Sequence, residues 1–221
     1  MMSSSFKQEL FEQLARIGKA VGQGHRLEIL EFLAQGERSV EALTRLTGLT
    51  VANTSKHLQQ LRHAGLVQAR KEGLYVHYRL SDPEVVTLLG VIRRLSERHL
   101  AEVEELVSHY LLTKDGMEPL PREVLLERMR DGTVTVLDVR PPEEYAAGHL
   151  PRSFNIPLRE LERRLHELPP DREVVAYCRG AFCVLAFEAV ARLRERGFAA
   201  RRLEEGFPEW RRADLPVERS E

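Results

Sequence analysis

Apolar side chains at Phe6, Leu10, Leu14, Ile17 and Val21 recur in steps of four, four, three and four, the spacing of one face of an amphipathic helix. A second helical pattern follows Gly24, carries Leu27, Leu30 and Leu33, and ends at Gly36. Ser39 is placed to cap a short helix with Leu43 and Leu46 inward. Thr47-Gly48 reads as a turn, and Thr50 is placed to cap a further helix reaching Ala64, with Gly65 as its stop. Two short helices across a tight glycine turn outline a helix-turn-helix. An extended stretch begins at Leu66-Val67, Lys71-Glu72-Gly73 reads as a turn, and Tyr75, Val76, His77 and Tyr78 form a second strand, which together make a two-stranded wing.

Ser81-Asp82-Pro83-Glu84 has the S-x-x-E form of a capping box, and a helical pattern continues to Leu112 through Leu88, Ile92, Leu95, Val103, Leu106 and Tyr110. A helix of that length extends on the order of 40 Å, more than a small domain needs for its own core, and the excess points to a partner subunit. Residues 113–121 hold a glycine, two prolines and several charges, and mark a domain boundary. Beyond them, short apolar runs at 134–139 and 174–177 fit buried strands. They alternate with helical patterns at 121–130, 158–168 and 184–196, the order of a parallel α/β sheet. The expected architecture is two domains: a mostly α winged helix-turn-helix over 1–113 and an α/β domain with a parallel sheet over 114–221.

Composition narrows the function. The 221 residues are 43% hydrophobic and 30% charged, enough for two ordinary cores. No apolar run approaches the roughly 20 residues of a membrane span, and the first residues, MMSSSFKQELFEQL, are charged where a signal peptide would be apolar. A soluble cytoplasmic protein is expected, with no membrane partner. The net charge of −1 hides an uneven distribution: residues 1–80 carry a net +4, residues 81–113 a net −3 and residues 114–221 a net −2. Positive charge gathered at one end keeps nucleic acid in view despite the neutral average. Two cysteines, Cys178 and Cys183, are too few for a disulfide framework, and so close a pair in a reducing compartment is more often reactive than structural.

In a helix-turn-helix the second helix presents its N-terminal residues to base edges in the major groove. With Leu58 and Leu61 inward, the candidates are Thr50, Val51, Asn53, Ser55, Lys56 and Gln59, while Arg70, Lys71 and His77 lie where a wing meets the phosphate backbone. Asn and Gln suit adenine, Lys suits guanine or phosphate, and Val suits a thymine methyl. Residues 22–80, above all GHRLEILEFLAQGERSVEALTRLTGLTVANTSKHLQQLRHAGLVQARKEGLYVHYRL, resemble the winged-helix domain of the ArsR family of bacterial repressors. The resemblance implies a homodimer built on terminal helices and bound to a double-stranded DNA operator. Metal-sensing members of the family carry cysteines on the helix before the turn, where this chain has Glu37-Arg38-Ser39-Val40-Glu41-Ala42-Leu43. A second family site on the terminal helix would fall at His99 and His109, ten residues apart and too far separated for one ligand cage. Metal sensing is rejected, and no cofactor is expected.

Cys178 follows the apolar run VVAY and precedes Arg179-Gly180-Ala181-Phe182-Cys183, with a helix beginning near Val184. A thiol at the carboxyl end of a parallel strand faces the next helix's N-terminus and the loop's N–H groups, which favour the nucleophilic thiolate; Arg179 is placed to add positive charge. Taken alone, Cys178 fits a small buried hydrophobe as well as a nucleophile. LDVRPPEEYAAGHLPRSFNIP, the CRGAFC loop and EEGFPEWRRADLPVE together resemble the rhodanese domain over residues 118–218. That resemblance implies sulfane-sulfur transfer from a donor such as thiosulfate or a persulfide. Cys178 would be the attacking thiol, and the amides from Arg179 to Cys183 would cradle its persulfide. Asp138, Arg140, Glu144 and His149 read as scaffold, and Trp210 as core. The common pattern places a basic residue five positions after the cysteine, and here that position is Cys183. Losing the cation weakens binding of a dianionic donor, whereas a second thiol can attack the Cys178 persulfide to release sulfide and leave a disulfide. A buried helix-start thiol remains an equal reading of Cys183.

The sequence thus leads to a dimeric DNA-binding repressor whose attached domain senses or transfers sulfane sulfur. Modification at Cys178 would act on the dimer through residues 113–121. A sulfurtransferase, or a regulator with an inactive redox module, are the alternatives.

Overall fold

The computed structural model describes residues 2–109 and 118–220, with side chains from Ser5 onward. The chain forms two compact units, Met1–Leu89 and Gly90–Glu221, so the division falls before the boundary expected from composition. Of that expected link, residues 113–117 lie outside the described residues, as do Tyr110 and Leu112.

The first unit contains α1 (Met2–Val21), α2 (Gly24–Gln35), β1 (Arg38–Ser39), α3 (Val40–Thr47), α4 (Val51–His63), β2 (Val67–Glu72), β3 (Tyr75–Leu80) and the start of α5 (Glu84–His99). The expected caps are in place. Ser39 accepts from the Ala42 N–H at 3.2 Å and Thr50 from the Asn53 N–H at 3.3 Å. Gly48 and Gly65 take φ of 68° and 77°, which a side chain would resist, and so close the α3–α4 turn and end α4. Ile29, Leu30, Leu33, Leu43, Leu58, Leu61, Leu66 and Val67 form the core. The apolar face of α1 divides: Ile17 and Val21 pack on this core, whereas Phe6, Leu10, Phe11 and Leu14 remain exposed.

Four expectations change. The wing has three antiparallel strands in the order β1-β3-β2, because Arg38 and Ser39 pair with Tyr78 and His77; two residues are too few to leave an alternating signature. The hairpin turns at Gly73-Leu74, one step later than expected, because Glu72 still pairs with Tyr75. The capping box does not form: Asp82 accepts from the Glu84 N–H at 2.7 Å, and the Ser81 hydroxyl donates to the Gly65 carbonyl. The long terminal helix is also interrupted, since Leu100 is extended (φ −115°, ψ 103°) between α5 and α6 (Ala101–Val107). No proline or glycine marks that break, so the apolar periodicity runs through it unaltered. It separates His99 from His109, and both are exposed.

The second unit continues from the latter part of α5 through α6, α7 (Arg122–Arg130), β4 (Val134–Asp138), α8 (Pro142–Ala147), β5 (Phe154–Asn155), α9 (Leu161–Arg164), β6 (Glu173–Tyr177), α10 (Val184–Glu195), β7 (Ala200–Arg202) and α11 (Phe207–Arg212). Its four parallel strands run in the order β5-β4-β6-β7. Leu137, Val174 and Ala176 pack with Ala186, Ala189, Val190 and Leu193 of α10, while Val136, Val175 and Tyr177 pack with Leu125, Phe207 and Trp210. Burial on both faces is why these strands read as unbroken apolar runs. The helix expected at 158–168 is reduced to α9 between two short 3-10 turns. Asp138 and Arg140 are fully buried and joined by charge-assisted hydrogen bonds, with Arg140 also donating to the Gly148 carbonyl, which suits the scaffold role expected for them. Trp210 is 1% exposed, and its indole N–H donates to the Pro216 carbonyl. Among the described residues, no helix is long and apolar enough to cross a membrane.

Candidate sulfur loop and recognition helix

The N-cap Thr50 and, on α4, Val51, Asn53, Lys56 and Gln59 are exposed and Ser55 is half-buried, while Thr54, Leu58 and Leu61 face inward. The six candidate reading residues therefore occupy the first turns of one helix, outside the core. His57 lies among them in sequence but is half-buried, and burial, then Arg26, His25 and Lys56, holds its imidazole below its ordinary value of 6.5.

The wing candidates are less uniform. Lys71 is exposed, but Arg70 donates to Glu37 at 2.6 Å and pairs with Glu72 at 2.8 Å. His77 lies 3.9 Å from each of the same two carboxylates. The Arg70 hydrogen bond holds the Glu37 carboxyl below its ordinary value of 4.5, and Glu37 in turn raises Arg70. Arg70 is thus held by Glu37 and Glu72, and His77 lies beside the same two carboxylates, a pairing that strand periodicity cannot reveal.

Cys178 follows the last residue of β6, and Cys183 is the residue before α10, so strand end and helix start fix the two sulfurs. They form a disulfide, and with 1% and 8% of their surfaces exposed both pack in the core with Val139, Ile156 and Ala186. The free thiolate expected at Cys178 therefore exists only after this bond is reduced. Among the described residues, the N–H groups of Gly180, Ala181 and Phe182 donate to no protein acceptor, whereas the Cys183 N–H closes the loop onto the Gly180 carbonyl at 3.0 Å. Amide donors beside a helix N-terminus can cradle negative charge.

Arg179 does not supply that cradle with a free cation. Its guanidinium is bound to both oxygens of the buried Glu144 at 2.7–3.1 Å. Behind the loop, Gly206 lies so close to the main chain of Arg179 and Gly180 that a Cβ would overlap it, and the Phe207 N–H donates to the Cys178 carbonyl at 3.0 Å. This contact explains why the EEGFPEW segment accompanies the CRGAFC loop. The sequence reading missed the pairing of Glu144 with Arg179, the backing role of Gly206, and Arg93, whose guanidinium lies 5.3 Å from the Phe182 ring centre. The first two belong to motifs already noted; Arg93, far away in sequence, left no signal.

The chain matches the rhodanese-like domain family over residues 121–213 and the family "bacterial regulatory protein, arsR family" over residues 24–69. It is 46% identical over 215 residues to the HTH-type transcriptional regulator Rv0324 of Mycobacterium tuberculosis, covering 97% of this chain and 94% of that one. It is also 34% identical over 97 residues to a sulfurtransferase of Allochromatium vinosum, covering 43% of this chain and 89% of the other. Among solved structures, it is similar to the homodimeric winged helix-turn-helix DNA-binding domain Mb0332 of Mycobacterium bovis. That match has 44% identity over 42% of this chain and 87% of the other, with a TM-score of 0.40. With the regulator Rv0324 aligned over 97% of this chain and both family models matched, the chain belongs to the arsR family of bacterial transcriptional regulators, in a form that carries a rhodanese-like domain on the same polypeptide.

Proposed function

We propose that this regulator binds operator DNA as a homodimer, represses, and responds to sulfane sulfur through Cys178. The observation that carries the reading is the pairing of Cys178 with Cys183 across a loop whose Gly180, Ala181 and Phe182 amides have no protein acceptor among the described residues. The exposed apolar stripe of α1 supports self-association, and the exposed first turns of α4 support base contact.

The chemistry balances with a thiol reductant and a sulfane donor. The reductant supplies two electrons and opens the disulfide to two thiols. The Cys178 thiolate attacks the outer sulfur of a persulfide RS–SH, forming Cys178–S–SH as the RS–S bond breaks and the thiolate RS⁻ leaves. The Cys183 thiolate then attacks the Cys178 sulfur, restores the disulfide and expels HS⁻, so the two thiols are oxidised and the sulfane sulfur is reduced. The cradle of amides stabilises the anionic persulfide between these steps. A change at the loop alters DNA binding only if it is worth different free energy in the two arrangements of the dimer.

The test is a DNA titration of the reduced protein with and without an organic persulfide, for wild type and Cys178→Ser. Sulfane sulfur is expected to shift the affinity of wild type alone. Equal binding in all four cases sinks the sensing role. The likeness to a sulfurtransferase favours a second reading, turnover of thiosulfate and cyanide to thiocyanate, which Cys178→Ser would abolish.

A further inference from the structure

The sulfur loop has lost one cation and neutralised another: Cys183 stands where the resemblance leads one to expect a base, and Arg179 is bound to Glu144. A third guanidinium reaches the same loop from outside it. Arg93 lies on the part of α5 that belongs to the second unit, with its side chain 19% exposed. Its guanidinium carbon sits 5.3 Å from the centre of the Phe182 ring. Its terminal nitrogens lie 3.2 and 3.6 Å from where a Cβ on Gly180 would be, so the absence of a side chain there lets the cation approach the main chain. One nitrogen is 3.4 Å from the Glu209 carboxylate, and the other Glu209 oxygen accepts the Gly206 N–H. Arg93 thus lies against Gly180 and the Phe182 ring, on the loop that runs from Cys178 to Cys183.

We propose that Arg93 is the anion-recognition residue of this loop, holding the negative end of an anionic sulfane-sulfur donor of the thiosulfate or persulfide type against the Gly180, Ala181 and Phe182 amides. The proposal rests on the sulfur reading given above and deepens it by assigning the charge of the donor. A guanidinium has five donors in a plane, so a long contact to one Glu209 oxygen leaves others for a ligand. Partial burial strengthens its field relative to a surface arginine, and the aromatic face beneath it holds the plane in place. With thiosulfate, the group held by Arg93 is the sulfonate end. Attack by the Cys178 thiolate on the outer sulfur forms the new S–S bond and breaks the old one, and sulfite leaves with the electron pair. Glu209 competes with the donor for the same cation and so sets how tightly the anion is held.

Two measurements decide this separately from the transfer chemistry. Thiosulfate binding is titrated calorimetrically against Cys178→Ser, which cannot turn over, and against the same chain carrying Arg93→Gln, Arg93→Lys or Glu209→Gln. Arg93→Gln is expected to weaken binding about tenfold or more, the weight of a charge-assisted hydrogen bond. Arg93→Lys should recover part of it, and Glu209→Gln should tighten it. An Arg93 that merely ties α5 to α11 predicts that neither the Gln nor the Lys variant changes thiosulfate affinity, and that result, or an absence of thiosulfate binding by Cys178→Ser itself, overturns the proposal.

The second measurement is the rate at which the reduced Cys178 thiol is consumed, read by mass spectrometry on wild type and Arg93→Gln, with thiosulfate, from which sulfite leaves, and with a neutral dialkyl trisulfide, from which an alkyl thiolate leaves as a mixed trisulfide forms. Selective slowing with thiosulfate supports recognition of charge, and equal slowing with both donors overturns it. If neither donor loads wild type, the sulfur-transfer reading fails, and the calorimetric series still decides whether Arg93 recognises the anion.

Discussion

The guanidinium of Arg179, next to the loop cysteine in sequence, is bound to both carboxylate oxygens of Glu144, which is 1% exposed. The pair ties the loop to α8. Arg179→Ala would remove a bidentate ion pair from a buried carboxylate, at a cost of about 3 kcal/mol. Replacing both, as Arg179→Met with Glu144→Gln, is expected to cost less than the two single changes added together. Urea unfolding of the four proteins checks this, and strict additivity would show that the pair is uncoupled.

Gly206 carries the loop's other constraint. Its φ of −108° is open to any residue, so the requirement is one of space: a Cβ would overlap the main chain of Arg179 and Gly180. Gly206→Ala is expected to destabilise the protein by about 1–3 kcal/mol through overpacking against backbone that has little room to yield. It should also displace the loop, so that a thiol reagent modifies reduced Cys178 faster than in wild type. A melting temperature and labelling rate equal to wild type would contradict the close approach.

Much of the fold was legible because its signals are local. Ser39, Gly48, Thr50 and Gly65 punctuate the helices in the order the backbone follows, and the apolar runs at 134–139 and 174–177 announce the buried strands Val134–Asp138 and Glu173–Tyr177. What escaped depends on pairing across the fold. The strands Arg38–Ser39, Phe154–Asn155 and Ala200–Arg202 are two or three residues long and exist only because a neighbour offers a ladder edge. The same holds for the site: Cys178 and its loop amides could be read from one segment, but Glu144, Gly206 and Arg93 arrive from three others. Charge partners set by tertiary contact leave no periodic trace, which is why Arg70 and Arg179 looked free in sequence and are paired in the structure.

The wing carries a testable consequence of that pairing. Arg70 is held by Glu37 and Glu72, so Arg70→Ala is expected to change operator affinity less than Lys71→Ala. Glu37→Gln with Glu72→Gln should release Arg70 to the phosphates, raising affinity and steepening the salt dependence by about one unit of slope. By contrast, Asn53→Ala or Gln59→Ala should cost about 1–3 kcal/mol on the cognate operator and little on unrelated DNA. Titrations at several salt concentrations separate the two kinds of contact.

Glu37 also predicts an acid limb. Its carboxyl is held below its ordinary value of 4.5 in the folded chain, first by the Arg70 hydrogen bond. A carboxyl depressed in this way adds its full share of stability above pH 4.5 and loses it as pH falls through the lower folded value. Unfolding free energy measured between pH 6 and pH 3 should therefore fall less steeply for Glu37→Gln than for wild type. Because Glu37 is partly exposed, the difference should shrink in high salt. Identical slopes for the two proteins would remove the ion pair from the account of the wing.

The first helix tests the assembly. Ile17 and Val21 pack inward, whereas Phe6 is 68%, Phe11 59% and Leu14 57% exposed, more apolar surface than one amphipathic helix leaves in water without a partner. Arg26 fastens the end of this helix to α4: it donates to the Lys19 and Ala20 carbonyls and also to the Gln60 side chain. A partner held on α1 would therefore fix the distance between two copies of α4 as well as the stoichiometry. Leu10→Glu with Leu14→Glu alters two exposed positions, so the monomer should still fold, with a melting curve close to wild type. Light scattering is expected to report half the wild-type mass, and operator binding should weaken by far more than any single α4 substitution, because two half-sites are no longer engaged together. A variant that keeps the wild-type mass and affinity would place the dimer contact elsewhere on the chain.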